Sequence, residues 1–328
     1  MNFLRALTRS RSQLFASTAA VAMLGAGTIA ASAAATPYSS VLDASGNYTF
    51  KTLDNSSDLT FNQLLGINQN GLISGYFGSG LKGHPNRGYL LSNDGTGGYT
   101  NENFPGAAQT QVTGLDDVGI TVGFWANQNG ANFGFYSTGA HHFKTADYPT
   151  SKPAKPALDQ LLGVNHSEIA VGFYNDSAGN AHGYTYNIAT HRYGKVNIAG
   201  STSVTATAIN NGDDIAGFET NSSGATVGFL QLRGGKVITL SVPNASQTQA
   251  FGINDGDVVV GTYTLGTGTS ATTHGFIWAP GFGYATVDDP AGAGTTTLNG
   301  INDHGRIVGF YVDANGNTDG LLATPAGL

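Results

Sequence analysis

Pairs of residues able to move a proton or hold an ion recur at one kind of place in this sequence. They are His166 with Glu168, Asp213 with Asp214, Asp255 with Asp257, and His304 with Arg306. Each pair lies in a short polar turn that follows an apolar run. Carboxylates converging with a His can do acid–base work on a glycosidic bond, or hold a divalent cation. The candidates drawn from these turns are His166, Glu168, Asp213, Asp257, His304 and Arg306. Polar turn residues in water are of the same types, so a purely structural role competes at every one of them. Asp313, Asn315, Asn317 and Asp319 alternate in the manner of an oxygen-ligand Ca2+ loop. Their Gly falls between the second and third ligands and no Glu follows at the twelfth position, so an ordinary Asn-Gly hairpin accounts for them as well. No other cofactor is implied. His182 and His274 each precede a Gly-aromatic step, which suits packing or hydrogen bonding better than metal ligation. No nucleophile elbow, zinc-protease helix or phosphate loop is present.

These turns belong to a repeat. Gly-Ile-Asn, a turn, and an apolar run ending in Gly return six times, most completely at Gly300-Ile301-Asn302-Asp303-His304-Gly305-Arg306-Ile307-Val308-Gly309. The turn-opening residues Asn68, Asp116, Asn165, Asn210, Asn254 and Asn302 are separated by 48, 49, 45, 44 and 48 residues. A Gly follows each after seven residues, from Gly75 to Gly309, so no insertion enters this hairpin. A second Gly then precedes an aromatic or Leu at Gly88, Gly134, Gly183, Gly228, Gly275 and Gly320. Asn or Asp first and Gly fourth suit a type I turn, with the side chain accepting from the backbone two residues on.

A period in the forties with strand signals every eight to twelve residues predicts an all-β ring: six units of four short strands, a β-propeller. The run Ile307-Val308-Gly309-Phe310-Tyr311 does not alternate, so both faces of that strand should be buried between blades. The fixed Gly then reads as the place where a neighbouring blade comes close. The units run over about 48–97, 98–141, 142–191, 192–235, 236–282 and 283–328, within one domain, 36–328. Tyr48 to Leu53 resembles the strand Tyr284 to Asp288, so the N-terminal strand is expected to close the ring by joining the C-terminal unit.

The repeat resembles the HAF family of extracellular repeats, whose units carry a Thr-x-Asp-x-Pro strand, a Gly-Ile-Asn-Asp-x-Gly-x-Ile-Val-Gly-x-Tyr stretch and a His-Gly-Phe step. The matching residues are Thr286-Val287-Asp288-Asp289-Pro290, Gly300 to Tyr311, and His182-Gly183-Tyr184 with His274-Gly275-Phe276. The third turn, Asn165-His166-Ser167-Glu168, lacks the Gly. The fourth and fifth turns move it to Gly212 and Gly256, and the second has Asp116 for Asn. The resemblance implies secretion and a propeller-like fold, and it implies no activity.

Residues 1–35 read as an export signal: Arg5, Arg9 and Arg11, then a short Ala-rich apolar stretch, then Ala31-Ser32-Ala33 as a small-residue cleavage site. Its removal leaves 11 basic and 21 acidic residues, net −10. Such a surface repels nucleic acid and anionic lipid, and no membrane contact is expected after cleavage. With no Cys, stability must come from a core rather than from disulfides. The expectation is a bacterial, secreted or periplasmic monomer that binds extracellular glycan or protein at a loop face, through neutral polar and aromatic groups. The alternative is a polysaccharide-active propeller enzyme, a hydrolase or lyase, working with turn-face carboxylates.

Overall fold

The computed structural model describes residues 42–92, 95–139 and 141–326. The export signal expected over residues 1–35 lies outside them. Six sheets stand in a ring, each built on antiparallel strands that follow one another in the chain, with the short strand Leu42–Asp43 added parallel to Gly283–Thr286, and the only helices among the described residues are three single 3₁₀ turns. Blade 1 is Asn62–Ile67, Ile73–Phe77, Arg87–Leu91 and Tyr99–Asn101. Blades 2 to 5 cover residues 109–145, 159–196, 201–240 and 247–286. Blade 6 combines Thr297–Ile301, Ile307–Val312 and Thr318–Pro325 with the N-terminal strand Tyr48–Thr52. That strand runs antiparallel to Thr318–Pro325, from Tyr48 opposite Pro325 to Thr52 opposite Leu321. The six-bladed propeller and its closure by the N-terminal strand are thus as the repeat predicts.

The sheets do not follow the units cut from the sequence. The range 283–328 opens on the short strand around Tyr284, but that strand is the last of the preceding blade: Gly283–Thr286 pairs with Thr272–Ala279 of blade 5. Tight turns with left-handed residues, such as Gly139, His191, Gly235 and Gly281, fold each third strand straight back, which makes its successor its neighbour. Blade and sequence period are out of step by one strand.

The core lies between blades. One cluster joins Ile120, Val122 and Tyr136 of blade 2 to Leu161, Tyr184 and Tyr186 of blade 3. Others bridge blades 3 and 4, 4 and 5, 5 and 6, and 6 and 1. The third-strand rings Tyr89, Phe135, Tyr184, Phe229 and Phe276 are wholly buried there, each worth about 1.5–3 kcal/mol of transfer free energy.

A bulge in every first strand explains the glycines. The ladder between first and second strands slips at the same place in every blade, at Leu65, Thr113, Leu162, Thr207, Phe251 and Asn299, and once more in blade 4 at Thr202. The slip drives a first-strand carbonyl against the second strand. A Cβ on Gly75, Gly123, Gly172, Gly217, Gly261 or Gly309 would lie 1.9–2.3 Å from that oxygen. The fixed Gly therefore makes room for its own blade's first strand, not for a neighbouring blade as expected. Neighbours do touch at the Gly of Gly-Ile-Asn, where a Cβ on Gly114 would lie 3.0 Å from Gly163 Cα.

The bulged residue alternates around the ring. In blades 2 and 4 it is Thr, whose Oγ1 donates to the next blade's carbonyl, Thr113 to Leu161 at 2.8 Å and Thr207 to Ala250 at 2.9 Å. In blade 6 Asn299 Nδ2 donates to Leu64 O at 2.9 Å. In blades 1, 3 and 5 it is Leu65, Leu162 and Phe251, which form no such bond.

Replacing Gly172 by Ala sets a methyl against Gln160 O and is expected to cost about 3 kcal/mol by urea unfolding. The control Gly46→Ala, with nothing within 4 Å, should stay within about 0.5 kcal/mol.

Candidate functional site: the axial mouth and the groove opposite

All six first hairpins end at one mouth of the central channel, around a cavity of about 70 Å³. Their shared Asn holds its own turn and the next one. Asn68 Oδ1 accepts from the N–H groups of Asn70 and Leu72, while its Nδ2 donates to Asp116 O at 3.0 Å. The same amide-to-carbonyl bond runs from Asn165 to Asn210, Asn210 to Asn254, Asn254 to Asn302 and Asn302 to Asn68, at 3.0–3.2 Å. A second circle links the following residue of each turn. The N–H of Gln69, His166, Asn211, Asp255 and Asp303 donates to the side-chain oxygen of Asp117, Asn211, Asp255, Asp303 and Gln69.

Both circles break at the seam between blades 2 and 3. Asp116 has no amide to donate. Its Oδ1 accepts from Val118, Gly119 and Ile120 N–H, and its buried Oδ2 has no partner among the described residues. His166 has no oxygen to offer the Asp117 N–H; instead its Nε2 lies 2.8 Å from Asp117 Oδ2. Burial pushes the Asp116 carboxyl up, against the opposing pull of its three N–H bonds.

Of the six sequence candidates, His166 alone lines this mouth. Glu168, Asp213 and Asp257 fill the left-handed fourth turn position, with φ of 58°, 66° and 58°, where Gly71, Gly119 and Gly305 stand in the other blades. Asp213 and Asp257 accept from the Asn165 and Asn210 amides of the preceding blade, at 2.9 and 3.0 Å. Burial, followed by the neighbouring Asp214 carboxylate, holds the Asp257 carboxyl above its ordinary value. His304 is exposed, and the backbone N–H groups of His304 and Arg306 donate to Asn302 Oδ1. Glu168, Asp213 and Asp257 thus sit at separate turns, while Asp214 and Asp255 lie beside Asp257 where blades 4 and 5 meet. At the other loop, Asp313 accepts from the N–H and Nδ2 groups of both Asn315 and Asn317, an Asx turn that directs amide donors, not oxygens, inward. Asp319 lies near Asp313, Tyr311 and Asp289, and burial followed by the Asp313 carboxylate pushes its carboxyl up.

The opposite end of the strands carries a groove that none of these candidates reaches. Its cavity of about 130 Å³ is lined by Phe173, Phe218, Ser203, Thr205, Gln247 and Gln249 among others, from blades 3, 4 and 5, with no ionisable side chain. Its sequence signal is a polar residue five places before each turn Asn: Gln63, Gln111, Gln160, Thr205, Gln249 and Thr297, all buried in the first strands.

Three carboxyls titrate far above their usual range, each mainly because of burial. Asp54 is pushed up to about 6, Asp147 to about 6 and Asp159 to about 7. Asp159 accepts from Tyr184 Oη at 2.6 Å and Tyr148 N–H at 2.7 Å. Asn62 of blade 1 takes the corresponding backbone bond, from Asn55.

No protein-family model matches the sequence, and no curated protein matches it. Among solved structures, it is similar to TolB from Acinetobacter baumannii, with 10% identity over 81% of this chain and 64% of that one and a TM-score of 0.49. It therefore spans slightly under two thirds of TolB. It is also similar to AofleA from Arthrobotrys oligospora, 12% identical over 88% of both chains with a TM-score of 0.49. A third is Aleuria aurantia lectin, described as a six-bladed β-propeller with a fucose recognition mode, 11% identical over 86% and 97% with a TM-score of 0.48. None of these three scores reaches 0.5, and no residue role is taken from them. Among the described residues, no helix is long and apolar enough to cross a membrane.

The raised carboxyls set the sign of the pH response. Between pH about 4 and 7 the folded chain holds protons that the unfolded chain has lost, so stability falls as pH rises through that window. Tm should be higher at pH 5 than at pH 8. Asp159→Asn, which installs the residue blade 1 uses, should shrink that difference by calorimetry.

Proposed function

We propose that this chain is a secreted propeller that binds neutral glycan in the groove opposite the axial mouth. The observation that carries the reading is the lining: hydroxyls and amides of Ser203, Thr205, Gln247 and Gln249 beside the rings of Phe173 and Phe218, with no charge. Sugar hydroxyls require convergent neutral donors and acceptors, and the apolar face of a pyranose packs on an aromatic ring. The cavity is well below the roughly 300–1,000 Å³ of a drug-sized site, so it suits one saccharide unit, with the rest of a chain lying outside. The HAF resemblance and the export signal support secretion. A polysaccharide hydrolase or lyase working with turn carboxylates would need two of them free at one pocket, roughly 5–10 Å apart. Asp213 and Asp257 are instead bonded to amides at different seams, and Asp214 meets Asp257 directly rather than across a gap that a sugar could enter, which favours the binder.

A glycan array should return a neutral ligand, and Phe218→Ala and Gln247→Ala should each weaken it about tenfold, near 1.4 kcal/mol. Release of reducing or unsaturated sugar from the bound polysaccharide would overturn the binder reading. Unchanged affinity in both variants would move the site elsewhere.

A further inference from the structure

The seam between blades 2 and 3 lacks two bonds that the other five seams have, and it lacks them because of side-chain identity, not backbone distortion. Asp116 repeats the Asn geometry: its Oδ1 accepts from the N–H groups two and four residues on, as in the other turns. Its Oδ2 therefore stands where the others carry Nδ2, facing the carbonyl of the next turn, Asn165 O. That carbonyl accepts Glu168 N–H, whereas Asn210 O accepts both its turn N–H and the neighbouring amide. Two acceptors thus meet with no donor between them, on a residue only 4% exposed. An unpaired oxygen of this kind costs free energy unless something positive joins it.

We propose that the axial mouth binds a hard cation between Asp116 Oδ2 and the Asn165 carbonyl oxygen, with Ca2+ as the probe. Mixed carboxylate, carbonyl and water ligands are the usual set for that ion. Asp117 and Asp255 line the same mouth and add negative field. His166 does not compete as a ligand, because its Nε2 is taken by Asp117 Oδ2. The cavity of about 70 Å³ holds the ion with water, at about 30 Å³ for each water. Two protein oxygens place the affinity among weak extracellular sites, about 10⁻⁴–10⁻³ M. The site is separate from the Asp313 loop, whose carboxylate is satisfied by amides, and from the groove at the other end of the channel. Protons compete for Asp116, with Asp117 and His166 as its titratable neighbours, so the ion should bind less tightly at pH 5 than at pH 8.

The test is thermal unfolding and calorimetric titration of the full chain with CaCl2 or EDTA at both pH values. Wild type should gain about 3 °C at tenfold excess over Kd. Asp116→Asn should lose that response, and in EDTA at pH 8 it should melt above wild type, since its amide can donate to Asn165 O. Asp313→Asn, in the separate amide-satisfied loop, should keep the response. An equal Ca2+ response in Asp116→Asn overturns the proposal, as does no response in wild type. A wild-type deficit against Asp116→Asn that closes at pH 5 without any Ca2+ effect also overturns it, and identifies a proton as the occupant.

Discussion

Six inner strands approach so closely at the throat that their backbones touch, and this contact constrains everything outside it. At Gly66, Gly114, Gly163, Gly252 and Gly300 an added Cβ would meet the next blade's backbone at 2.7–3.1 Å or, for Gly66, its Leu115 side chain at 3.1 Å. Only Ala208 carries a methyl there. Strands that close cannot present ordinary side chains to each other, so specificity between blades moves to two flanking positions. One is the bulged residue just before the Gly. The other is the Asn two places after it, which ties its own turn and the next with one amide. The bulge in turn forces a carbonyl onto the second strand and demands the second fixed Gly.

This dependence explains what could be read from the sequence. Gly-Ile-Asn and its Gly seven residues later recur because one backbone solution recurs, and the blade count and ring closure follow from the spacing. Phase did not follow, because a period has no intrinsic starting point: whether Tyr284 to Val287 opens a unit or ends a blade depends on hydrogen bonds with Thr272–Ala279 that no residue type announces. The site was less legible. Variation among turns singled out His166, Glu168, Asp213 and Asp257, and the last three vary because they share a left-handed position that Gly fills elsewhere. Asp116 registered as a departure from Asn, but its meaning required knowing that the amide bonds to another blade. The groove is not legible in the sequence because Gln249 and Thr205 lie in strands of mixed Ser, Thr, Gln and apolar residues, where nothing in the residue types marks which face a neighbouring blade leaves open.

The two ends of the channel are built for different things. In the turns around the mouth, carboxylates serve mainly as acceptors for neighbouring turns: Asp117, Asp255, Asp303, Asp213 and Asp257 each take an N–H or an amide from the preceding blade. That is an efficient use for acids in a protein of few charges, since an acceptor-only group opposite an N–H needs no cation. At the other end neutral amides, hydroxyls and rings of blades 3, 4 and 5 face a groove. Where blade 3 meets both ends it also carries Asp159, Tyr184 and the stacked pair Tyr148 and Tyr174, whose centroids are 4.6 Å apart.

The alternation of bulged residues gives the ring a lower symmetry than its six blades suggest. Seams 2/3, 4/5 and 6/1 carry a Thr or Asn bond that seams 1/2, 3/4 and 5/6 replace with Leu or Phe contacts. Counted with the two turn circles, seams 4/5 and 6/1 carry all three kinds of bond, seams 1/2, 3/4 and 5/6 carry the circles alone, and seam 2/3 carries its Thr113 bond alone. One of the two most fully bonded seams, 6/1, therefore adjoins the blade in which Tyr48–Thr52 pairs with Thr318–Pro325 and closes the circle. The least bonded seam lies two seams further round the ring.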